Sequence, residues 1–247
     1  AAAHSPGARA GRAGRPLRYR LEEVRLLAPL ERPPKVVAIG LNYRDHAAES
    51  GARVPEHPVF FSKYASALVG PDEPILLPEP SVTRQVDYEV ELAVILGRGG
   101  RNISEEEAMD HVFGYTVFND ISARDLQFQD GQWIKGKTLD TFAPVGPCIV
   151  TADEIPDPHR LRLRLRLNGR TMQDSTTANL IFRVPTLIAY LSRLFRWEPG
   201  DLLSTGTPAG VGFARKPPVF LQPGDVVEAE VEGIGVLRNP VERMAGQ

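Results

Sequence analysis

The run from Gln85 to Gly97, QVDYEVELAVILG, is the stretch that most restricts what this 247-residue chain can fold into. Its residues alternate, with Val86, Tyr88, Val90 and Leu92 to one side and Asp87, Glu89, Glu91 and Ala93 to the other. A period of two predicts a β-strand with one face in a core. The other face is the unusual one. Three consecutive same-side positions are acids, about 6.6 Å apart at the usual strand rise. Each neighbouring pair repels by roughly 2.5 kcal/mol at an effective dielectric near about 20. Asp and Glu are also poor strand formers. A chain that keeps such a row exposes it to water or holds a cation against it.

Composition sets the bounds around that strand. The length allows a substantial core in one domain or slightly more. A formal charge of −2 leaves no electrostatic footprint for nucleic acid. No apolar run approaches the ~20 residues of a membrane helix. The single cysteine, Cys148, excludes an internal disulfide and suits a reducing compartment; it reads as a small buried hydrophobe. With 22 glycines and 22 prolines the chain suits a turn-rich β protein. These features predict a soluble, cytoplasmic globular chain. The Arg-rich, acid-poor stretch 1–16 reads as a flexible leader or cloning remnant, and the chain opens on Ala1 without an initiator Met. If that stretch is instead what is left of a targeting segment, the destination is the mitochondrial matrix.

Residues 17–34 read as an N-terminal extension ending in Arg32-Pro33-Pro34, 35–241 as one domain, and 242–247 as a tail. Val36 to Ile39 predicts a buried strand stopping at Gly40. Asn42 then offers an N-cap and Gly51 a C-cap for a short helix. On it His46 and Glu49, three apart, are neighbours on one face. A His beside a carboxylate is held in one tautomer and serves as a base; an exposed surface ion pair is the alternative. Strands are expected at Pro58–Ser62 and Tyr115–Asp120, and a capping box, Ser104 with Glu107, opens a helix over Glu105 to His111. Gln129 to Thr138 has the polar, glycine-containing composition of an active-site loop, and Gln127 to Lys137 is expected to order on a ligand. Leu161–Leu167 forms a hairpin at Asn168-Gly169, and the 184, 187, 188, 191, 194 and 195 spacing predicts an amphipathic helix. The loop Thr205-Gly206-Thr207-Pro208-Ala209-Gly210-Val211-Gly212 reads as a backbone cradle for a carboxylate or phosphate.

GLNYRDHAAE, FSK, DYEVELAV, FNDISARDLQ, KGKTLDTFAPVGP, the NGR hairpin and GDLLSTGTPAGVG occur in that order. Together they resemble the fumarylacetoacetate hydrolase family over about residues 35–241, in particular its small acylpyruvase-like and 2-hydroxyhepta-2,4-diene-1,7-dioate isomerase-like members. The larger fumarylacetoacetases carry a fourth acid seven positions before the histidine, where this chain has Ile39.

The resemblance implies a β-rich α+β fold, a mixed-sheet roll with a few short helices, usually as a homodimer. It implies one divalent ion per subunit, Mg²⁺ or Mn²⁺, on Glu89, Glu91 and Asp120, which suits hard oxygen ligands. Asp87 matches no ligand position and is expected exposed or just behind the ligands. Lys137 falls where the family lysine stands beside metal and substrate. Arg124, Gln127 and Thr207 fall at substrate-contacting positions, with a structural salt bridge to Asp125 or another acid as the alternative for Arg124. Lys63 is either a substrate contact or a surface residue. His46 and Glu49 match a catalytic dyad. The substrate class implied is a small 2-oxo or β-diketo acid. The leading expectation is a hydrolase cleaving a C–C bond of an acylpyruvate or fumarylpyruvate. A decarboxylase of oxaloacetate type, or an isomerase of the diene-dioate, would use the same residues. A catalytically silent metal-binding protein is the remote alternative, since a scaffold has no need of the full set.

Overall fold

The computed structural model describes residues 18–244. The leader at 1–16 therefore lies outside the described residues. The described chain is a β-rich α+β fold built on two mixed sheets. Across the larger sheet the order is Val59–Ser62, Val36–Gly40, Leu202–Ser204, Val90–Leu96, Val112–Asn119, Ala143–Thr151 and Leu68–Val69. Across the smaller it is Arg170–Thr176, Arg162–Leu167, Val226–Val231, Gly235–Arg243 and Ile75–Leu77. Neighbours are antiparallel except Val36–Gly40 beside Leu202–Ser204, Leu68–Val69 beside Ala143–Thr151 and Ile75–Leu77 beside Gly235–Arg243. The last strand thus runs two residues into the expected tail.

The alternating acidic run is not one strand. Val86–Asp87 pairs with Ser122–Ala123 as a two-stranded ribbon, and Val90–Leu96 enters the large sheet separately. Tyr88 and Glu89 bridge the two. Nor is either face wet, because Val90–Leu96 is buried at every position. Val90, Leu92, Val94 and Leu96 join the main core, shared with Leu163, Leu165 and Ala229 of the second sheet. Ala93 and Ile95 face a smaller cluster with Val36, Phe118 and Leu202, covered by Ala28 and Leu30 of the N-terminal extension. The alternation marked two different interiors instead of an inside and an outside.

Local expectations fared unevenly. The hairpin at Asn168-Gly169 and the helix, observed at Val184–Leu194, are in place. Over 105–111 only Ala108–His111 winds, as a 3₁₀ turn. Cys148 is exposed, not buried, because Ala143–Thr151 turns from buried to partly open after Gly146. Helix Arg44–Ser50 ends on Gly51 in the left-handed region at φ 65°, but Asn42 does not cap it, since the helix begins two residues later. Asn42 is fully buried and works at long range: its amide donates to Thr205 O at 2.8 Å and Phe182 O at 3.0 Å, and its carbonyl accepts from Phe182 N at 2.8 Å. One side chain therefore ties the loop before the helix to two distant loops.

Asn42→Ala would strand those partners, and each unsatisfied buried group costs about 1–3 kcal/mol. The expected loss is roughly 3 kcal/mol in unfolding free energy, read as a lower urea midpoint at unchanged slope. An unchanged midpoint would refute the tie.

Candidate active site

The three acids meet where the ladder of the large sheet runs out. Glu91 lies opposite Phe118 and Val90 opposite Asn119. Past that pair Asp120 N donates to Glu89 O at 2.9 Å, and Glu89 N donates to the Asn119 side chain at 3.0 Å. These bonds fold both strand ends over one point. One oxygen from each of Glu89, Glu91 and Asp120 lies within 4.8 Å of the others, and all three residues are buried.

Buried like charges at that spacing need counter-charge. Lys137 Nζ donates to Glu89 Oε2 at 2.9 Å and Asp120 Oδ2 at 2.7 Å. Lys63 Nζ contacts Asp120 Oδ1 and donates to Ile121 O at 3.0 Å. At 3% exposure it is no surface residue, and its ammonium pairs with a protein acid. Arg124 takes the salt-bridge alternative in part, reaching Glu89 Oε1 at 2.6 Å and Asp87 Oδ2 at 2.9 Å instead of Asp125. Burial raises the Glu89 carboxyl, but Lys137 and Arg124 outweigh it and bring the group down to about 2. Burial pulls Lys63 down to about 8 against the attraction of Asp120. Lys137 is likewise penalised by burial, yet Asp120 and Glu89 together hold it above the ordinary lysine value.

Glu91 is left over. Ser204 Oγ and Gly206 N donate to its Oε2, while Oε1 is buried with no hydrogen-bond partner. Burial, then Asp120 and Glu89 beside it, push its carboxyl well above the usual range. Four buried acids, counting Asp87, face three buried cations. An orphaned carboxylate oxygen beside two further carboxylates, with negative charge in excess, fits a hard divalent cation.

Asp87 is fully buried. Its Oδ2 accepts from Arg124 Nε at 2.9 Å and Phe213 N at 3.0 Å, and its Oδ1 from Gly212 N at 2.7 Å. The glycine-rich loop, read as a cradle for a ligand anion, turns the N–H groups of its three glycines to the protein's own acids. Gly206 N binds Glu91, Gly210 N binds Glu49 at 3.0 Å, and Gly212 and Phe213 bind Asp87. Gly206 itself sits at φ +98°, where an added Cβ would lie 2.8 Å from Asn42 Cβ. Thr207 Oγ1 donates to Val90 O and accepts from Gln173 Nε2 at 2.8 Å, so it borders the site without a free donor. Gln173, missed in the sequence, also takes the Val90 N–H at 2.9 Å and clamps this loop onto the acidic strand. Its strand, RTMQDST, is polar at every position but Met172, so nothing in the sequence set Gln173 apart.

A cavity of about 300 Å³ is bordered by His46, Glu89, Arg124, Gln127, Lys137 and Thr207. Glu91 and Asp120 cluster with Glu89 without lining it, Lys63 lines the neighbouring cavity, and Lys135 pairs with exposed Asp130. His46 is only 8% exposed, which excludes the surface-pair alternative, and its Nδ1 stands 3.6 Å from Glu49 Oε2. Phe213 meets its ring edge-on at 6.4 Å and packs on the Arg124 guanidinium at 4.5 Å. Burial raises the Glu49 carboxyl, but His46 and the Gly210 N–H more than offset it and keep the group below its ordinary value.

Residues 35–242 match the family described as Fumarylacetoacetate (FAA) hydrolase C-terminal. The chain is an enzyme of the fumarylacetoacetate hydrolase family. It is 51% identical over 220 residues to the mitochondrial oxaloacetate tautomerase fahd2 of Xenopus laevis, covering 88% of this chain and 68% of that protein. With the human mitochondrial oxaloacetate tautomerase FAHD2A the identity is 49% over 89% of this chain and 70% of that one. Among solved structures, the 2-hydroxyhepta-2,4-diene-1,7-dioate isomerase of Mycobacterium marinum superposes with a TM-score of 0.80 at 43% identity, covering 92% of this chain and 81% of the other.

Mg²⁺ or Mn²⁺ is expected to raise the unfolding temperature, by mass action about 2.7 kcal/mol of stability at 100 times Kd. Glu89→Ala and Glu91→Ala should each remove most of that rise. A thermal shift that survives undiminished in both variants would end the metal assignment.

Proposed function

We propose that this enzyme interconverts the keto and enol forms of a short 2-oxo dicarboxylic acid of the oxaloacetate type. The observation that carries this reading is that His46, 3.6 Å from Glu49, lines the same cavity as Glu89, one of the three clustered acids. An enolisation needs one group to move a proton at the carbon next to the carbonyl and another to stabilise charge on the oxygen. The relatives named as oxaloacetate tautomerases, at 49–51% identity over almost nine tenths of the chain, support it.

Glu89, Glu91 and Asp120 would hold a divalent cation, which when bound supplies Lewis acidity toward the 2-oxo carbonyl. The chain's own groups do the rest. His46, its Nδ1 facing the Glu49 carboxylate, takes the proton from C3 of the keto acid through its other ring nitrogen and returns it in the reverse direction. Glu49 stays ionised, which stabilises the imidazolium formed meanwhile. Lys137, cationic between Glu89 and Asp120, lies beside the oxygen that gains charge. Arg124, fixed by Asp87, and Gln127, whose Oε1 accepts from Arg124 at 3.0 Å, orient the carboxylates. No water is consumed; hydrolysis of an acylpyruvate would use the same residues with His46 activating a water instead. Because those two relatives are named as mitochondrial proteins, the Arg-rich leader also fits a mitochondrial address better than the cytoplasmic one.

With Mg²⁺, the enzyme should accelerate loss of the enol absorbance of oxaloacetate and exchange its C3 protons with deuterated solvent. His46→Ala should slow both by about 10²–10⁴ while the metal-induced thermal shift persists. Cleavage of acylpyruvates without any C3 exchange would overturn the tautomerase reading in favour of hydrolysis.

A further inference from the structure

The catalytic cavity has a neighbour. A second, more open cavity of about 790 Å³ lies against it, and Phe61 and Trp133 border both. The strand Val36–Gly40 passes under the two, with Val36 and Val37 lining the outer cavity and Ile39 and Gly40 the catalytic one. Only a wall of two aromatic rings separates them, met edge-on with centroids 5.7 Å apart.

The two rings are anchored differently. Phe61 sits 5.0 Å below the Lys137 ammonium, so it belongs to the floor of the site. Trp133 comes from the segment joining the short helices Arg124–Gln127 and Ile134–Lys137. The tip of its indole rests on Gly40, where a Cβ would stand 2.2 Å from Trp133 Cζ3 and 2.8 Å from Cη2. The seat exists because residue 40 has no side chain. Beyond the wall the outer cavity is largely apolar, lined by Pro33, Pro34, Val59, Phe60 and Phe195.

We propose that Trp133, seated on Gly40, is a specificity-determining residue that ends the substrate pocket and restricts this enzyme to 2-oxo acids with a short tail. The proposal rests on the 2-oxo acid reading above. It assigns the outer cavity as the space that a longer apolar or aromatic tail enters once the indole is removed. Polar head recognition by Arg124, Gln127 and Lys137 lies on the near side of the wall and is common to short and long substrates.

The test compares oxaloacetate with 2,4-dioxo-4-phenylbutanoate, which carries the same 2-oxo carboxylate head and a phenyl tail. Binding to the Mg²⁺-loaded wild type, Trp133→Ala and Gly40→Ala is measured by calorimetry, and turnover of each compound alongside. In Trp133→Ala the affinity ratio of the phenyl compound to oxaloacetate should rise about tenfold or more, since burying an aromatic tail gains that much. Gly40→Ala, whose new methyl displaces the indole tip, should move the ratio in the same direction by a smaller factor. A merely structural role for Trp133 would weaken both compounds together and leave the ratio where it was. An unchanged ratio in both variants, or a wild type that already binds the phenyl compound as well as oxaloacetate, overturns the proposal. If neither compound binds the wild type, the 2-oxo acid reading itself falls and takes the proposal with it, a result distinct from an unchanged ratio.

Discussion

Negative charge buried in excess of its counter-charge is the constraint around which this enzyme is arranged. Asp87, Glu89, Glu91 and Asp120 are at most 5% exposed, and Lys63, Arg124 and Lys137 supply one charge too few. In a low-dielectric interior an unpaired charge is strongly destabilising, and well-packed hydrophobic residues would do better. The deficit is also not shared evenly. Glu89 is brought down by Lys137 and Arg124, whereas Glu91 receives only a hydroxyl and one N–H. A sheet selected for stability alone would place a leucine at 91. The orphaned oxygen there is intelligible as a position completed by a cation, with folding stability given up in its absence.

One loop ties part of that cluster to its surroundings. Main-chain N–H groups from Gly206 to Phe213 reach Glu91 on the large sheet, Glu49 on the short helix and Asp87 on the two-stranded ribbon. Gln173 and Asn42 pin the loop from opposite sides, through Thr207 and Pro208 and through Thr205. Glu91, Glu49 and Asp87 are therefore referred to one stretch of backbone. Glycine there serves close approach as much as turning: a Cβ on Gly212 would stand 2.5 Å from Asp87 Oδ1.

What the sequence made legible follows from the range of the interactions involved. The helix at Val184–Leu194 and the Asn-Gly hairpin are local, and their spacing or turn chemistry suffices. The three acids, His46, Arg124, Gln127 and Lys137 were legible through motif order, and the fold brings them to one cavity or its floor. Periodicity could not reveal the break at Tyr88 and Glu89, because alternation persists through an extended link that leaves one sheet for another. Asn42 looked like a cap because a cap is what an Asn before a helix does locally, whereas its actual partners lie 140 and 163 positions away. The surface alternative for Lys63 and the exposed one for Asp87 failed for the same reason. Each is charged, and a charged residue reads as exposed until the opposite charge that buries it, at Asp120 or Arg124, is located in space.

The division of labour in the site has a consequence for its chemistry. On the proposed reading the group that moves a proton, His46, stands on the helix Arg44–Ser50, and the groups that stabilise charge stand on the sheet and its exits. The glycine-rich loop and the edge-on rings of Phe213 and Phe128, 5.8 Å apart, help connect the two. Enolisation, decarboxylation and hydrolysis of a 2-oxo acid share the second requirement and differ in the first. A base moved or rotated by an ångström changes which bond is attacked, while the buried charge cluster stays as it is. Relatives named for tautomerisation and one named for diene-dioate isomerisation each match this chain at 43–51% identity, as expected if the buried charge cluster is the shared part of the site and the short helix facing it the variable part.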